Sequence, residues 1–414
     1  MSAVRVTALE CCIVSLPRDV PYLGPLLPGE TVNPQGYFVR RGNRTVYPST
    51  DMSVVVKATS ADGTVGWGET YGVAAPEAVV ALIDKLLAPF VIGRDAREAA
   101  TIWQDLYDLQ RVRGASGGYY GDALAGIDIA LCDLAARAAG QPLHAWLGGG
   151  APPAIPAYVS GLPRATLPER VALARAFVAR GFSAIKYAAP VAVAGVVAEM
   201  RALREALGDA VELMVDLHWR YDADAACSVI EALAPYRPRF AEAPCAAEDI
   251  AGLAAVARRS RVPIAAGEEW RNDYEAAWRL DVAPLAVVQP EIAHTGVTQF
   301  GAIARRAAAS GAVLMPHATI GVGIFMAASL HATAAHASAV NPSAVNEGAV
   351  NARAPGAPAA CAAVPYHEYQ HSVFDRNLRH VDTSMACEAG YYRLPEGPGH
   401  GATPRQELWT YVRR

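Results

Sequence analysis

The chain lacks an excess of positive charge: 36 Lys and Arg stand against 40 Asp and Glu, a formal net charge of −4. A nucleic-acid binder would ordinarily show a basic stripe, and none is visible. Apolar runs of membrane-spanning length are also missing; VALIDKLLAPFVIG is broken by Asp84 and Lys85. The opening MSAVRVTALECCIVSLPRD has neither the charged n-region nor the long apolar stretch of a secretory leader. Seven cysteines, an odd number without CxxC spacing, predict reduced thiols and a cytoplasmic location. Neither terminus is of low complexity. What is present is apolar material, 52% of 414 residues, which suffices for a large core and suits two domains.

The first part, residues 1–150, reads as an α+β unit. SVVVKATSADGTVGWGET (53–70) is a hairpin signal, with two β-rich runs around the turn ADGT. APEAVVALIDKLLAPFVIG and GDALAGIDIALCDLAARAAG read as helices, the second with Ala125, Ile127, Ala130, Leu131 and Leu134 near helical spacing. From 151 to 364 the texture changes. Seven short β-rich runs alternate with Ala/Arg/Glu-rich helical stretches, and the runs are continuously apolar, as parallel strands covered on both faces should be. So many similar units, with no Gly-rich phosphate loop after the first strand, predict an α/β barrel over an open doubly wound sheet. The tail 365–414 is turn-rich and ends in QELWTYVRR, a strand-like run expected to pack back on the first domain.

The barrel-like runs end in polar residues: Lys186, Asp216, Glu242, Glu268, Glu291, His317 and Glu347, each about one strand–helix unit after the last. In a parallel barrel such positions share one mouth. A charge at the end of a buried apolar strand is expensive unless paired. One acid alone could cap a helix or pair with a surface arginine. Asp216, Glu242 and Glu268, at equal intervals of 26 residues, instead bring three like charges to one point and call for a cation. An all-oxygen set suits Mg²⁺, with Mn²⁺ able to substitute, whereas zinc more often recruits His or Cys.

Taken together, AIKYA, MVDLH, FAEAP, IAAGE, VVQPE and LMPHATIG resemble the enolase superfamily, in its mandelate racemase/muconate lactonizing enzyme branch. GIDIALCDLAARAAGQPLHAWLGG is similar to that branch's domain-junction segment, and PEGPGHG to its C-terminal one. The resemblance implies a modified (β/α)₇β barrel under an α+β cap built from both termini, and association into dimers or octamers. It implies a metal on Asp216, Glu242 and Glu268, and removal of the proton α to a carboxylate. His317 matches the strand-seven base and Glu291 its orienting partner, where the family usually has Asp. The racemase pattern Lys-x-Lys is here Lys186-Tyr187-Ala188, so the second lysine is absent and Lys186 is left for electrostatic support, with a role as base the alternative.

His218, two residues beyond Asp216, should share its face in an extended chain. The resulting Asp-x-His resembles the galactonate and mannonate dehydratase types, in which the histidine protonates a leaving hydroxyl. Glu347 fits the strand-eight acid that donates to, or polarises, the substrate carboxylate. Tyr22, Arg44 and Tyr47, in the Gly/Pro-punctuated segments 21–30 and 40–50, are the candidates for contacts to a polyol chain. The expectation is a Mg²⁺-dependent dehydratase of a five- or six-carbon aldonate, giving a 2-keto-3-deoxy acid. The alternatives are an isomerase of the same superfamily, a cycloisomerase or epimerase, and a non-catalytic sugar-acid binder. Neither a nucleic acid nor a membrane is expected as a partner.

Overall fold

A computed structural model describes residues 3–114, 117–150, 154–318, 321–336 and 365–413. The N-terminal unit is built on three antiparallel strands, β1 (Val6–Leu16), β4 (Asp51–Ser60) and β5 (Val65–Tyr71), with β1 and β5 flanking β4. Between them a smaller hairpin, β2 (Tyr37–Arg40) and β3 (Thr45–Pro48), projects from the sheet. Helices α1 (Pro76–Leu82), α2 (Ala88–Val91), α3 (Ala99–Arg111), α4 (Gly118–Ala138) and α5 (Leu143–Trp146) follow. Helix α4 is buried continuously from Tyr120 to Ala136, which explains its nearly unbroken apolar sequence. It lies directly on β5 because Gly66 and Gly68 leave room. A Cβ there would come within 2.3 Å of the Ala130 carbonyl and 2.1 Å of the Gly126 carbonyl.

The alternating runs close into a barrel. In chain order its members are β6 (Ile155–Ser160), α6 (Leu167–Ala179), β7 (Ala184–Ala188), α7 (Val196–Leu207), β8 (Glu212–Asp216) and α8 (Ala223–Leu233). Then come β9 (Ala241–Glu242), α9 (Ile250–Arg259), β10 (Ile264–Ala266), α10 (Asp273–Val282), β11 (Val287–Val288), α11 (Ile292–Ser310), β12 (Val313–Leu314) and α12 (Ile324–Ala335). The eighth strand, β13 (His367–Tyr369), pairs in parallel with β6, and the Glu368 N–H donates to the Pro316 carbonyl at 3.3 Å to shut the gap beside β12. The barrel therefore extends past 364, where the sequence alone placed its end. Its interior is plugged by Tyr158, Ala184, Met214, Phe240, Ala265, Val287, Met315 and Tyr366, a layer separate from the main core.

That plug sets the site. Side chains two residues on point the same way along a strand. The next layer toward the mouth therefore contains Ser160, Lys186, Asp216, Glu242, Gln289, His317 and Glu368. The one offset is at β10, where Gly267 (φ 130°) takes the inward position and Glu268 follows it.

After β13 come α13 (His371–Asn377), β14 (Val381–Thr383), β15 (Ala386–Glu388), β16 (Tyr391–Arg393), β17 (Ala402–Pro404) and β18 (Val412–Arg413). Strand β18 pairs with β1, and Gln406–Tyr411 is a 3₁₀ turn where a strand was expected. PEGPGHG has a structural role. The Asp133 carboxylate of α4 accepts from the His400 and Trp67 backbone N–H groups at 2.8 Å each and from Arg137 Nε at 2.7 Å, tying tail, β5 and α4 together. The described cysteines are free thiols. No helix among the described residues is long and apolar enough to cross a membrane.

Candidate active site

Asp216, Glu242 and Glu268 meet at the barrel mouth, each offering an oxygen within 4.8 Å of the others. Each also leans on a basic group. Lys186 Nζ lies 2.7 Å from Glu242 Oε2, His218 Nε2 lies 2.7 Å from Asp216 Oδ2, and His317 Nε2 lies 3.0 Å from Glu268 Oε2. Burial, and then the Asp216, Glu268 and Glu368 carboxylates, push the Glu242 carboxyl well above the usual range against the pull of Lys186. Glu268 goes the other way: burial raises it, but the charges of His317, His218 and Lys186 hold it low. Three converging carboxylates, one of them destabilised by its like-charged neighbours, fit a divalent cation. The oxygen-only set favours a hard one.

His317 and Glu291 form a pair despite the longer glutamate. His317 Nδ1 is 2.9 Å from Glu291 Oε2, while Glu291 Oε1 caps α11 by accepting from Ala293 N at 3.1 Å. The Tyr71 hydroxyl, delivered by β5, donates to the same Glu291 Oε2 at 3.1 Å. Burial lowers the His317 imidazole, but Glu268 and Glu368 outweigh it and the result is well above its ordinary value.

His218 does not extend β8. Its φ of 50° places it in a left-handed turn after Asp216, where its own N–H donates to Asp216 Oδ1 at 2.9 Å. It still faces the cavity, by a turn and not by strand alternation. Its Nδ1 accepts from Asn43 Nδ2 at 3.1 Å, an amide whose Oδ1 is fixed by Thr45 N and whose Nδ2 also donates to the Tyr47 hydroxyl. Burial lowers the His218 pKa, yet the Asp216 charge raises it above normal overall.

Asn43 was not a sequence candidate, and Arg44 beside it was. The structure reverses them. Arg44 sits at the hairpin turn with φ 59°, exposed and away from the cavity lining, whereas Thr45 and Tyr47 line the cavity and Asn43 bonds to Tyr47 and His218. The hairpin can lie this low because Gly42 meets Pro190: a Cβ would fall 2.3 Å from that carbonyl oxygen. Tyr22 and Tyr47 do line the cavity, with their rings 5.3 Å apart. Arg40 holds the Tyr22 loop by donating to the Tyr22, Gly24 and Pro25 carbonyls and to Glu30.

Glu347, the expected strand-eight acid, lies outside the described residues. That position belongs to Glu368 on β13, 3.3 Å from Lys186 and 3.6 Å from His317. Burial raises Glu368, but Lys186 and His317 more than compensate and keep it below the ordinary carboxylate range. The signal for it was the Tyr-x-Glu spacing in YHEYQ, the same inward alternation as Met214-x-Asp216. Gln289, also missed, donates to Glu242 Oε2 at 2.9 Å. Ala188 lines the cavity where a second lysine would stand. The whole enclosure measures about 300 Å³, at the small end of ligand sites.

A (β/α)₇β barrel under an α+β cap, with three strand-end carboxylates that could hold a metal beside a His–Glu pair, is the architecture of a class of enzymes. The mandelate racemase/muconate lactonizing enzyme N-terminal domain family matches residues 44–148, and the enolase C-terminal domain-like family matches 169–408. The chain belongs to the enolase superfamily. It is 34% identical over 299 residues, 69% of this chain and 76% of the relative, to a D-galactonate dehydratase of Ralstonia nicotianae. It is 33% identical over 356 residues, 84% and 88% of the two chains, to a 3,6-anhydro-alpha-L-galactonate cycloisomerase of Streptomyces coelicolor. A solved member of the enolase superfamily from Agrobacterium tumefaciens superposes with a TM-score of 0.90 at 45% identity over all of both chains.

Proposed function

We propose that the protein is a magnesium-dependent dehydratase of a five- or six-carbon aldonate. The observation that carries this reading is the pairing of a buried His317–Glu291 dyad with a second imidazole, His218, in one cavity beside the three converging carboxylates, two of which, Asp216 and Glu268, line it. Asp216, Glu242 and Glu268 would hold the cation. When bound, it supplies the positive charge against which negative charge develops on the substrate carboxylate.

Glu291 fixes the imidazole of His317 through Nδ1, so its Nε2 faces the cavity as the atom that takes the C2 proton. Lys186, buried and bonded to Glu242, keeps a positive charge beside the carboxylate end. His218 is held by Asn43 and Asp216, and a proton on its Nε2 is available to a departing 3-hydroxyl. Tyr22 and Tyr47 wall the polyol chain. Ala188 leaves the other face without the second lysine that two-base epimerisation uses.

A second reading, a cycloisomerase of a sugar acid or lactone, is favoured by one finding. The likeness to the Streptomyces coelicolor cycloisomerase spans 84% of this chain, against 69% for the dehydratase. Ring opening also needs only one base and one acid. Proton NMR in D₂O, with Mg²⁺ and a library of aldonic and aldaric acids together with their lactones and anhydro forms, separates the two. A 2-keto-3-deoxy product formed from an open-chain acid with loss of water establishes the dehydratase and its substrate. A product isomeric with a cyclic or open-chain substrate moves the assignment to isomerase, and inertness toward every open-chain and cyclic acid overturns both.

A further inference from the structure

The cavity has a second polar pole that the proposed chemistry does not use. His294, three residues past Glu291 in α11, Asp122 on α4 and Arg271 after β10 all line it. His294 Nδ1 is 2.6 Å from Asp122 Oδ1, and Arg271 Nε is 3.4 Å from the same oxygen. The His294 ring stacks on Tyr71 at 4.3 Å between centroids. Arg271 is brought in against Gly121, where a Cβ would meet its side chain at 2.5 Å, and its Nη1 donates to the Glu269 carbonyl at 2.5 Å.

The simplest function for such a cluster is to join cap to barrel, and it does so. Two features go beyond that. Nδ1–H of His294 is committed to Asp122, which leaves Nε2 as a lone-pair acceptor. Nε2 has no protein partner among the described residues, and the ring is 15% exposed, in the cavity it lines. Burial, and then Arg271, lower the His294 pKa despite Asp122, which is consistent with a neutral ring. The charges of Asp122 and Arg271 also cancel, so this pole has no net charge, unlike the carboxylate-rich pole around Glu242.

We infer that His294, oriented by Asp122, is a specificity-determining residue whose Nε2 accepts a hydrogen bond from a neutral hydroxyl at the end of the substrate remote from its carboxylate. The inference rests on the sugar-acid reading above and narrows it: the substrate is a monoacid with a hydroxylated tail, and the matching diacid is disfavoured. A second carboxylate would face the lone pair of His294, which offers it no donor, beside an Arg271 whose charge is already matched by Asp122.

The test is calorimetric binding to the magnesium-loaded His317→Asn protein, in which the proposed base is removed, with and without His294→Gln. The probes are the six-carbon aldonates, the matching aldarates, and tartronate, which reaches only the carboxylate pole. The expected result is an aldonate that binds at least about tenfold more tightly than its aldarate. His294→Gln should cost about tenfold in aldonate affinity and leave tartronate unchanged within about twofold. Unchanged aldonate affinity in His294→Gln, or an aldarate that binds equally well, overturns the subsite. So does a parallel loss for tartronate, which would make His294 a general support of the site. If tartronate binds and no sugar acid does, the sugar-acid reading itself fails.

Discussion

At the residue scale the two imidazoles divide the proposed reaction, and substitution separates them. His317→Asn retains the shape of the side chain near Glu291 but removes the proton acceptor at Nε2. C2 exchange in D₂O should fall by at least about a thousandfold, while magnesium affinity stays within a few-fold. Full exchange in that variant would remove His317 as the base. His218→Asn should do something different: C2 exchange persists, and product formation falls by about a hundredfold or more. Equal loss of both would place His218 in binding, and unchanged turnover would end its role as the acid. Legibility in the sequence follows the same division. Asp216, Glu242, His317 and Lys186 were readable because each ends an apolar run with strand alternation. Glu368 was not, since the link between β12 and β13 is far longer than a strand–helix unit, and regular spacing pointed to Glu347 instead. Asn43 was hidden because its contact with His218 depends on how a hairpin turn folds over the barrel, which no local pattern specifies.

The pairing of elements that sets the site is α4 of the cap against α11 of the barrel. Helix α11 begins with Glu291 as its cap and kinks at Gly296 (φ 67°, ψ 179°), where a Cβ would lie 2.7 Å from Asp128 of α4. The Asp128 carboxylate fills that kink, accepting from the Thr298 backbone N–H at 2.8 Å and from the Thr298 hydroxyl at 2.6 Å. Burial dominates these bonds and raises its pKa from 3.8 to about 6. A carboxyl raised on folding favours the native state while it is protonated. The folded protein then binds more protons than the unfolded chain between these two values, and stability falls as pH rises through them. Asp128→Asn removes this dependence. Denaturant unfolding at pH 4 and at pH 7 should show the variant gaining about 2–3 kcal/mol on the wild type between the two. A constant difference across that range would mean that Asp128 ionises normally. The sequence showed α4 as a helix but gave no sign of this contact. An Asp in the middle of an apolar helix reads as a flaw until its partner on a distant helix is known.

At the scale of the whole molecule, cap and barrel enclose a charge imbalance. Asp216, Glu242, Glu268, Glu291 and Glu368 all face or support one mouth, against Lys186, His218 and His317. With every one of these groups ionised, two negative charges remain uncompensated, the charge of one dication. A cation that binds the folded mouth and not the unfolded chain must then stabilise the fold by mass action. Each tenfold increase in Mg²⁺ above its dissociation constant should add about 1.4 kcal/mol, seen as a melting temperature that rises with the logarithm of concentration. NaCl at matched ionic strength should not reproduce it, because screening acts over the whole surface whereas ligation acts at one point. Glu242→Gln, which removes the central ligand, should flatten the magnesium response while leaving the response to NaCl as it was. If the wild type answers the two salts alike, the three carboxylates do not hold a cation. The barrel mouth would then be an ion-pair network that joins strands, and the proton chemistry proposed for it would lose its driving charge.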